Sequence, residues 1–166
     1  LRNGKNVVTA NKALMATAGE EIFHLADEAG VEIAFEASVG GGIPIIDPLK
    51  HSLISNEISS VLGIVNGTTN YMLTRMAEDG MAYDDVLAEA QAKGFAEADP
   101  TADVDGFDAA AKIAILASIA FNSRVTMSDV PNEGIRSIQP IDLKTALDAQ
   151  TLDARLLRDL QENRLK

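Results

Sequence analysis

The residues best suited to acid–base chemistry lie where an acidic loop meets an apolar helix. Between residues 107 and 121 the ionisable side chains are Asp108 and Lys112. Such a segment is apolar around nearly its whole circumference, which predicts a core helix that holds the lysine away from water. A buried ammonium group is costly unless a carboxylate compensates it, and Asp108 lies one helical turn earlier. Lys112 is therefore a candidate proton donor.

The same spacing has a structural interpretation. Asp105 is placed to cap the helix, Asp108 is placed to interact with the helix dipole, and Asp108 and Lys112 have the favourable order for an ion pair. The residues alone leave a structural ion pair and a proton donor both open. A calcium loop counted from Thr101 is excluded, because its twelfth position requires a glutamate and holds Lys112.

Other candidate sites have weaker patterns. The glycines at 40–42 match neither a Walker loop nor a dinucleotide fingerprint, and they predict a tight turn with exposed carbonyls. Such carbonyls, with Glu36 close by in sequence, suit a hard cation. His24 and His51 have no second ligand at metal spacing and are interpreted as surface residues.

Composition excludes several classes of partner. The 166 residues carry 25 acidic and 14 basic side chains, a net charge of −11, which disfavours nucleic acid and anionic membranes as partners. The longest apolar stretch, 109–121, contains Lys112 and is too short to span a bilayer. The chain has no cysteine, which suits a reducing compartment. We therefore expect a soluble, cytoplasmic protein.

The elements around these residues predict an α/β fold. A strand at 6–10, a helix at 12–29 that stops at Gly30, and a strand at 31–39 form a parallel βαβ unit. The pattern further along predicts a short helix near 44–53, a strand at 58–65, and helices at 69–78, 83–93, 106–121 and beyond 142.

Six motifs in sequence order resemble one enzyme family. They are Val8-Thr-Ala-Asn-Lys12, Glu36-Ala-Ser-Val-Gly-Gly-Gly-Ile-Pro-Ile-Ile46, Gly63-Ile-Val-Asn-Gly-Thr-Thr-Asn70, Gly94-Phe-Ala-Glu-Ala-Asp-Pro100, Asp103-Val-Asp-Gly-Phe-Asp-Ala-Ala-Ala-Lys112 and Gly134-Ile-Arg136. Each motif alone is modest, but the six together are highly specific. Over residues 4–147 the chain resembles homoserine dehydrogenase.

The resemblance implies an oxidoreductase that interconverts L-aspartate 4-semialdehyde and L-homoserine with NADP or NAD. This reaction serves threonine, isoleucine and methionine biosynthesis. By the same resemblance, Lys112 protonates the aldehyde oxygen and Asp108 orients Lys112. Glu97 and Asp103 bind the substrate. Lys12 lines the cleft for substrate and cofactor.

The resemblance also implies contacts with a cofactor and a metal. Gly94 approaches the nicotinamide cofactor. A monovalent cation, usually sodium, binds Glu36 and the carbonyl groups of Val39, Gly41 and Ile43. This set agrees with the glycine turn interpreted from the residues themselves.

The resemblance further implies a domain organisation. Residues 1–38 are expected to be the last βαβ piece of a Rossmann dinucleotide-binding domain, whose N-terminal half we expect to be missing from the chain. Residues 39–147 are expected to form a mixed-sheet substrate-binding, catalytic and dimerisation domain with covering helices, and 148–166 a helical tail of unclear role. A homodimer is expected. The alternative is a catalytically inactive oligomerisation or amino-acid-binding module derived from that enzyme.

Overall fold

The structure, a computed structural model, describes residues 1–148 and divides into two compact units. Unit 1 contains Leu1–Val65 and Gly106–Glu133, and unit 2 contains Asn66–Asp105 and, among the described residues, 134–148. Most of the expected helical tail at 148–166 lies outside the described residues. The assignment of 1–38 and 39–147 to separate domains stays a prediction.

Helices dominate both units. In chain order the strands and helices are β1 (Val7–Val8), α1 (Lys12–Ala29), β2 (Ile33–Ala34), a 3-10 turn (Glu36–Ser38), a π-type turn (Pro48–Ser52), α2 (Gly67–Asp79), α3 (Tyr83–Ala92), α4 (Thr101–Val104), α5 (Phe107–Ala120), a second 3-10 turn (Met127–Asp129) and α6 (Pro140–Asp148).

Unit 1 begins with the βαβ arrangement expected from the sequence. The side chain of Asn11 accepts a hydrogen bond from the backbone N–H of Leu14 and so caps α1. Gly30 ends α1 in the left-handed conformation, with φ of 62°. The strands β1 and β2 pair in parallel, with Val7 opposite Ile33. The predicted α/β class is therefore confirmed.

The core of unit 1 fixes the position of α5. Ala114, Ile115 and Leu116 of α5 are at most 5% exposed, and they belong to the same buried cluster as Met15 of α1 and Phe35. Burial of one such large apolar side chain contributes about 1.5–3 kcal/mol. Because these residues of α5 are buried together with residues of α1, they anchor the helix that carries Lys112 in the core of unit 1.

Unit 2 has a separate core built by helices. Met72 and Met76 of α2, Val86 of α3 and Val104 of α4 are fully buried. Asn66 caps α2 through its side chain, which accepts a hydrogen bond from the backbone N–H of Thr69. Gly80 and Gly94 follow α2 and α3 with positive φ angles, which marks the ends of these helices.

Two strand predictions are wrong. The second strand ends at Ala34 rather than Val39, because the chain turns into the 3-10 segment Glu36–Ser38. The stretch 58–65 forms no strand, and among the described residues the sheet consists of β1 and β2 alone. A β-rich segment needs a neighbouring strand for its backbone groups, and none pairs with this one. Hence the described residues contain no mixed sheet.

The predicted cap of α5 is also wrong. Gly106, with φ of 84°, takes the capping position, and no side chain caps this helix end. Asp105 instead forms an ion pair with Arg136 in unit 2. Separately, no helix within residues 1–148 has the length and apolar character that a membrane crossing requires.

Candidate active site

The Lys112 side chain lies in a compensated, largely buried environment. It is 15% exposed, and the side chain of Asp108 is 11% exposed. The Nζ of Lys112 donates one hydrogen bond to Asp108 Oδ2 and one to the carbonyl oxygen of Val65, both at 2.6 Å. Charge-assisted hydrogen bonds of this length are among the stronger ones in proteins. The predicted pairing of Lys112 with Asp108 is confirmed as geometry, while its catalytic role stays a prediction.

A second lysine binds the same carboxylate. Lys12 Nζ lies 3.1 Å from Asp108 Oδ1, and its side chain is 39% exposed. Lys12 is the first residue of α1, directly after the capping residue Asn11. The backbone N–H of Asn11 donates to the hydroxyl of Thr9, which orders the approach to the helix. Asp108 therefore joins the start of α1 to the first turn of α5.

This arrangement suits proton transfer to an oxygen atom. An ammonium group has three N–H donors. Within the described residues Lys112 directs two of them to Asp108 and Val65. The third remains for a ligand oxygen. The two hydrogen bonds hold the Nζ in one position, which a proton donor needs in order to meet its acceptor at about 2.6–3.2 Å.

The expected cation residues lie around a tight turn in unit 1. Gly40 and Gly42 have φ angles of 62° and 80°, which glycine adopts without strain. The Glu36 carboxylate accepts hydrogen bonds from the backbone N–H groups of Ile45, Ile46 and Asp47. Desolvation would raise the pKa of Glu36, but these three donors outweigh it and hold the pKa below its ordinary value of 4.5.

The residues expected to bind a cation offer mainly backbone carbonyl oxygens. A carboxylate offers about four lone-pair sites, and the three backbone donors occupy most of those on Glu36. The backbone of Val39 is buried, whereas Gly41 and Ile43 are exposed. In residues 1–148 no three His, Cys, Asp or Glu side chains cluster as a metal site. Any cation here would depend mainly on carbonyl oxygens.

The predicted substrate ligands belong to unit 2. Glu97 is exposed, and the side-chain amide of Gln91 donates to its backbone carbonyl at 3.0 Å. Asp103, on α4, accepts a hydrogen bond from the side-chain amide of Asn66 at 2.7 Å. Gly94 has a φ of 75°, and a Cβ placed there would meet no protein atom within 4 Å. The roles of all three residues stay predictions.

The structure therefore gathers some of the predicted residues and adds others. It brings together Lys112, Asp108 and Lys12, all of unit 1. Sequence reasoning missed the Val65 carbonyl, which no side-chain pattern can reveal. It also missed the bond from Asn66 to Asp103, two residues that lie 37 positions apart. His24 and His51 are exposed and pair with carboxylates on their own segments.

Comparison with known proteins gives one consistent family. A family model described as homoserine dehydrogenase matches residues 44–160. Homoserine dehydrogenase of a Synechocystis strain is 58% identical over 142 residues, which cover 86% of this chain and 33% of that protein. The chain thus spans about a third of the length of the curated relatives it matches.

Solved structures agree in fold. The crystal structure of a homoserine dehydrogenase from Thiobacillus denitrificans superposes with a TM-score of 0.86 at 49% identity, covering 89% of this chain and 34% of that one. A hyperthermophilic archaeal homoserine dehydrogenase in complex with NADPH has a TM-score of 0.75 at 35% identity, covering 82% of this chain and 42% of that one.

Proposed function

Because the chain belongs to the homoserine dehydrogenase family, we propose that it supplies the substrate-binding and acid–base part of an enzyme interconverting L-aspartate 4-semialdehyde and L-homoserine. The observation that carries this proposal is the ion cluster of Lys112, Asp108 and Lys12. A structural ion pair requires one lysine, whereas here two lysines converge on one largely buried carboxylate. The cluster leaves an ammonium N–H of Lys112 for an external oxygen.

Lys112 carries the proton in this proposal. In the direction of reduction, its Nζ donates a proton to the aldehyde oxygen, which becomes the hydroxyl of homoserine. In the direction of oxidation, the neutral amine takes the proton back from that hydroxyl. Asp108 holds the Nζ in place through its hydrogen bond. The Val65 carbonyl accepts a second N–H bond of Lys112 and so helps to hold the Nζ in place.

The redox partner is a nicotinamide cofactor, NADP or NAD. When bound, it supplies the hydride for reduction and accepts it in oxidation. An archaeal relative binds NADPH. Gly94 and Lys12 are the residues of this chain that would contact it, and the open space above Gly94 allows close approach to the backbone. The Lys12 side chain pairs with Asp108 and is also 39% exposed, so a ligand can reach it.

Substrate recognition falls to carboxylates of unit 2. Homoserine carries an ammonium group. At neutral pH an ionised carboxylate is the side chain that binds such a group most strongly. We assign this role to Glu97 and Asp103. For the cation, usually sodium in this family, we assign Glu36 with the carbonyls of Val39, Gly41 and Ile43. The assembled enzyme is proposed to be a cytoplasmic homodimer.

The proton-transfer role is tested by NADPH consumption with aspartate semialdehyde. The assay is run on the chain alone and with a separately expressed dinucleotide-binding domain of the family. Lys112→Met removes the transferable proton and keeps the apolar stem, so we expect the rate to fall at least about 100-fold, the usual contribution of a general acid. Lys144→Met, in the exposed part of α6, is the matched control. An unchanged rate in Lys112→Met would refute the role of Lys112.

Substrate binding is tested separately by calorimetric titration with L-homoserine. Glu97→Gln keeps the shape of the side chain and removes its charge. We expect this variant to bind homoserine more weakly than the unaltered chain. Equal affinities would remove Glu97 from the site.

A further inference from the structure

Asn66 uses both ends of its side-chain amide within unit 2. Its Oδ1 accepts hydrogen bonds from the backbone N–H and from the hydroxyl of Thr69, both at 2.8 Å, which caps α2. Its Nδ2 donates to Asp103 Oδ1 at 2.7 Å. The side chain is one of the two buried polar ones in the described part of the chain, at 7% exposure. Capping alone explains only the Oδ1 end.

The orientation of this amide is determined by its neighbours. A backbone N–H must face the amide oxygen, and a carboxylate must face the amide NH₂ group. Reversing the amide of Asn66 would place an NH₂ against the N–H of Thr69 and an oxygen against the Asp103 carboxylate. Both contacts would then be repulsive. The helix cap therefore fixes the direction in which Asn66 donates to Asp103.

The backbone that carries Asp103 is held at both ends. At the start of α4, the backbone N–H of Thr101 donates to the side chain of Asp99 at 3.1 Å. At its end, the carbonyl of Val104 accepts from the N–H of Ile135 at 2.8 Å. Next to it, Asp105 is bound by Arg136 through two nitrogen atoms. These contacts fix the backbone of α4. They do not fix the side-chain torsion angles of Asp103.

We propose that Asn66 is a positioning residue that sets the direction of the Asp103 carboxylate toward the substrate. This inference rests on the proposed function, in which Asp103 binds homoserine. The hydrogen bond from Nδ2 is made to one carboxylate oxygen, Oδ1, and thereby favours one orientation of the group. A carboxylate already held in its binding orientation loses less conformational freedom when the substrate arrives, which favours affinity.

The test separates positioning from capping. Serine ranks with asparagine as a helix cap but has no NH₂ group to reach Asp103. Asn66→Ser is therefore expected to weaken binding of L-homoserine about 10-fold in calorimetry, with little change in the thermal midpoint of unfolding. Asn66→Asp also caps a helix, but it places a second carboxylate against Asp103, so we expect weaker binding still. Asn11→Ser, at the equivalent cap of α1, is the control for the effect of the exchange on unfolding.

The effect of Asn66→Ser is also measured in a chain that already carries Asp103→Asn. This comparison distinguishes a positioning role of Asn66 from a merely structural one. If Asn66 acts through Asp103, Asn66→Ser added to Asp103→Asn weakens binding no further. In the reconstituted enzyme the KM for homoserine should rise more than kcat falls in Asn66→Ser. Should Asn66→Ser fail to fold, Asn66→Asp is compared with the unaltered chain in the same way.

Each outcome has one meaning. Homoserine affinity unchanged in Asn66→Ser but reduced in Asp103→Asn overturns the inference and leaves the proposed function standing. Unchanged affinity in Asp103→Asn overturns the role of Asp103 in the proposed function. A chain that does not bind homoserine at all overturns the proposed function, and the inference with it.

Discussion

Removing Asp108 should destabilise the chain more than removing Lys112, although the two side chains form one ion pair. Asp108→Ala leaves the ammonium of Lys112, 15% exposed, without its carboxylate, and Lys12 loses the same partner. Loss of one member of a buried pair costs about 3–5 kcal/mol, because the other charge stays buried without compensation. Lys12 is partly solvated, so most of this loss arises at Lys112.

Lys112→Met has a smaller expected cost. Asp108 keeps Lys12 at 3.1 Å, and the methionine side chain fills the space of the lysine stem. What is lost is the bond to Asp108 and the bond to the Val65 carbonyl, which together amount to about 1–3 kcal/mol net. The two variants should therefore differ by about 2 kcal/mol. With a urea m-value of about 2 kcal/mol/M, this difference separates their unfolding midpoints by about 1 M.

Urea unfolding followed by circular dichroism measures these differences at neutral pH. The double variant Asp108→Ala/Lys112→Met is the sharpest comparison, since it leaves no unpaired buried ammonium. The double variant should be more stable than Asp108→Ala alone. Such a result would show that the effects of the two substitutions on the free energy of unfolding are not additive, as expected for residues in contact. The reasoning is refuted if Lys112→Met destabilises as much as Asp108→Ala, or if the double variant is the least stable of the three.

Three further predictions concern unit 2 and are each checked by unfolding measurements. Gly134→Ala should cost about 1–3 kcal/mol, because its Cβ would lie 2.6 Å from the Val104 carbonyl oxygen, whereas Gly63→Ala, with open space around it, should cost less. Met76→Ala should cost about 2–5 kcal/mol, because this fully buried side chain would leave a cavity. Hydrogen bonds from Lys93 and Tyr71 lower the pKa of Glu89 from 4.5 to about 2. The resulting stability is present above pH 4.5 and is lost as the pH falls toward 2, so Glu89→Gln should show a flatter pH dependence in that window.

Local patterns in the sequence predicted the helical parts of the fold well. The helix 12–29 was predicted with the bounds that the structure has, because an apolar periodicity begins at Lys12 and ends before a stop glycine. The pairing of Asp108 with Lys112 followed from helical spacing alone. These features depend on residues close together in the chain, which a sequence displays directly.

Features that depend on distant partners were not predictable in this way. Ile58–Val65 has a strand composition, but a strand also requires a neighbour, which composition does not reveal. Asp105 satisfies the pattern of a helix cap, yet Arg136, 31 positions away, offers a stronger charged partner. The contact of Lys12 with Asp108 likewise spans most of unit 1. The functional roles of Glu97, Asp103 and Gly94 stay predictions.

If Lys112 donates a proton as proposed, the second lysine on Asp108 affects the charge that the cluster then carries. With Lys112 protonated, two ammonium groups and one carboxylate give the cluster a surplus of one positive charge. Once the proton has gone, Lys12 and Asp108 balance each other and the cluster is neutral. At no stage is a lone negative charge left in the interior. In the proposed reaction, Lys12 would therefore balance the charge of Asp108 while Lys112 is neutral.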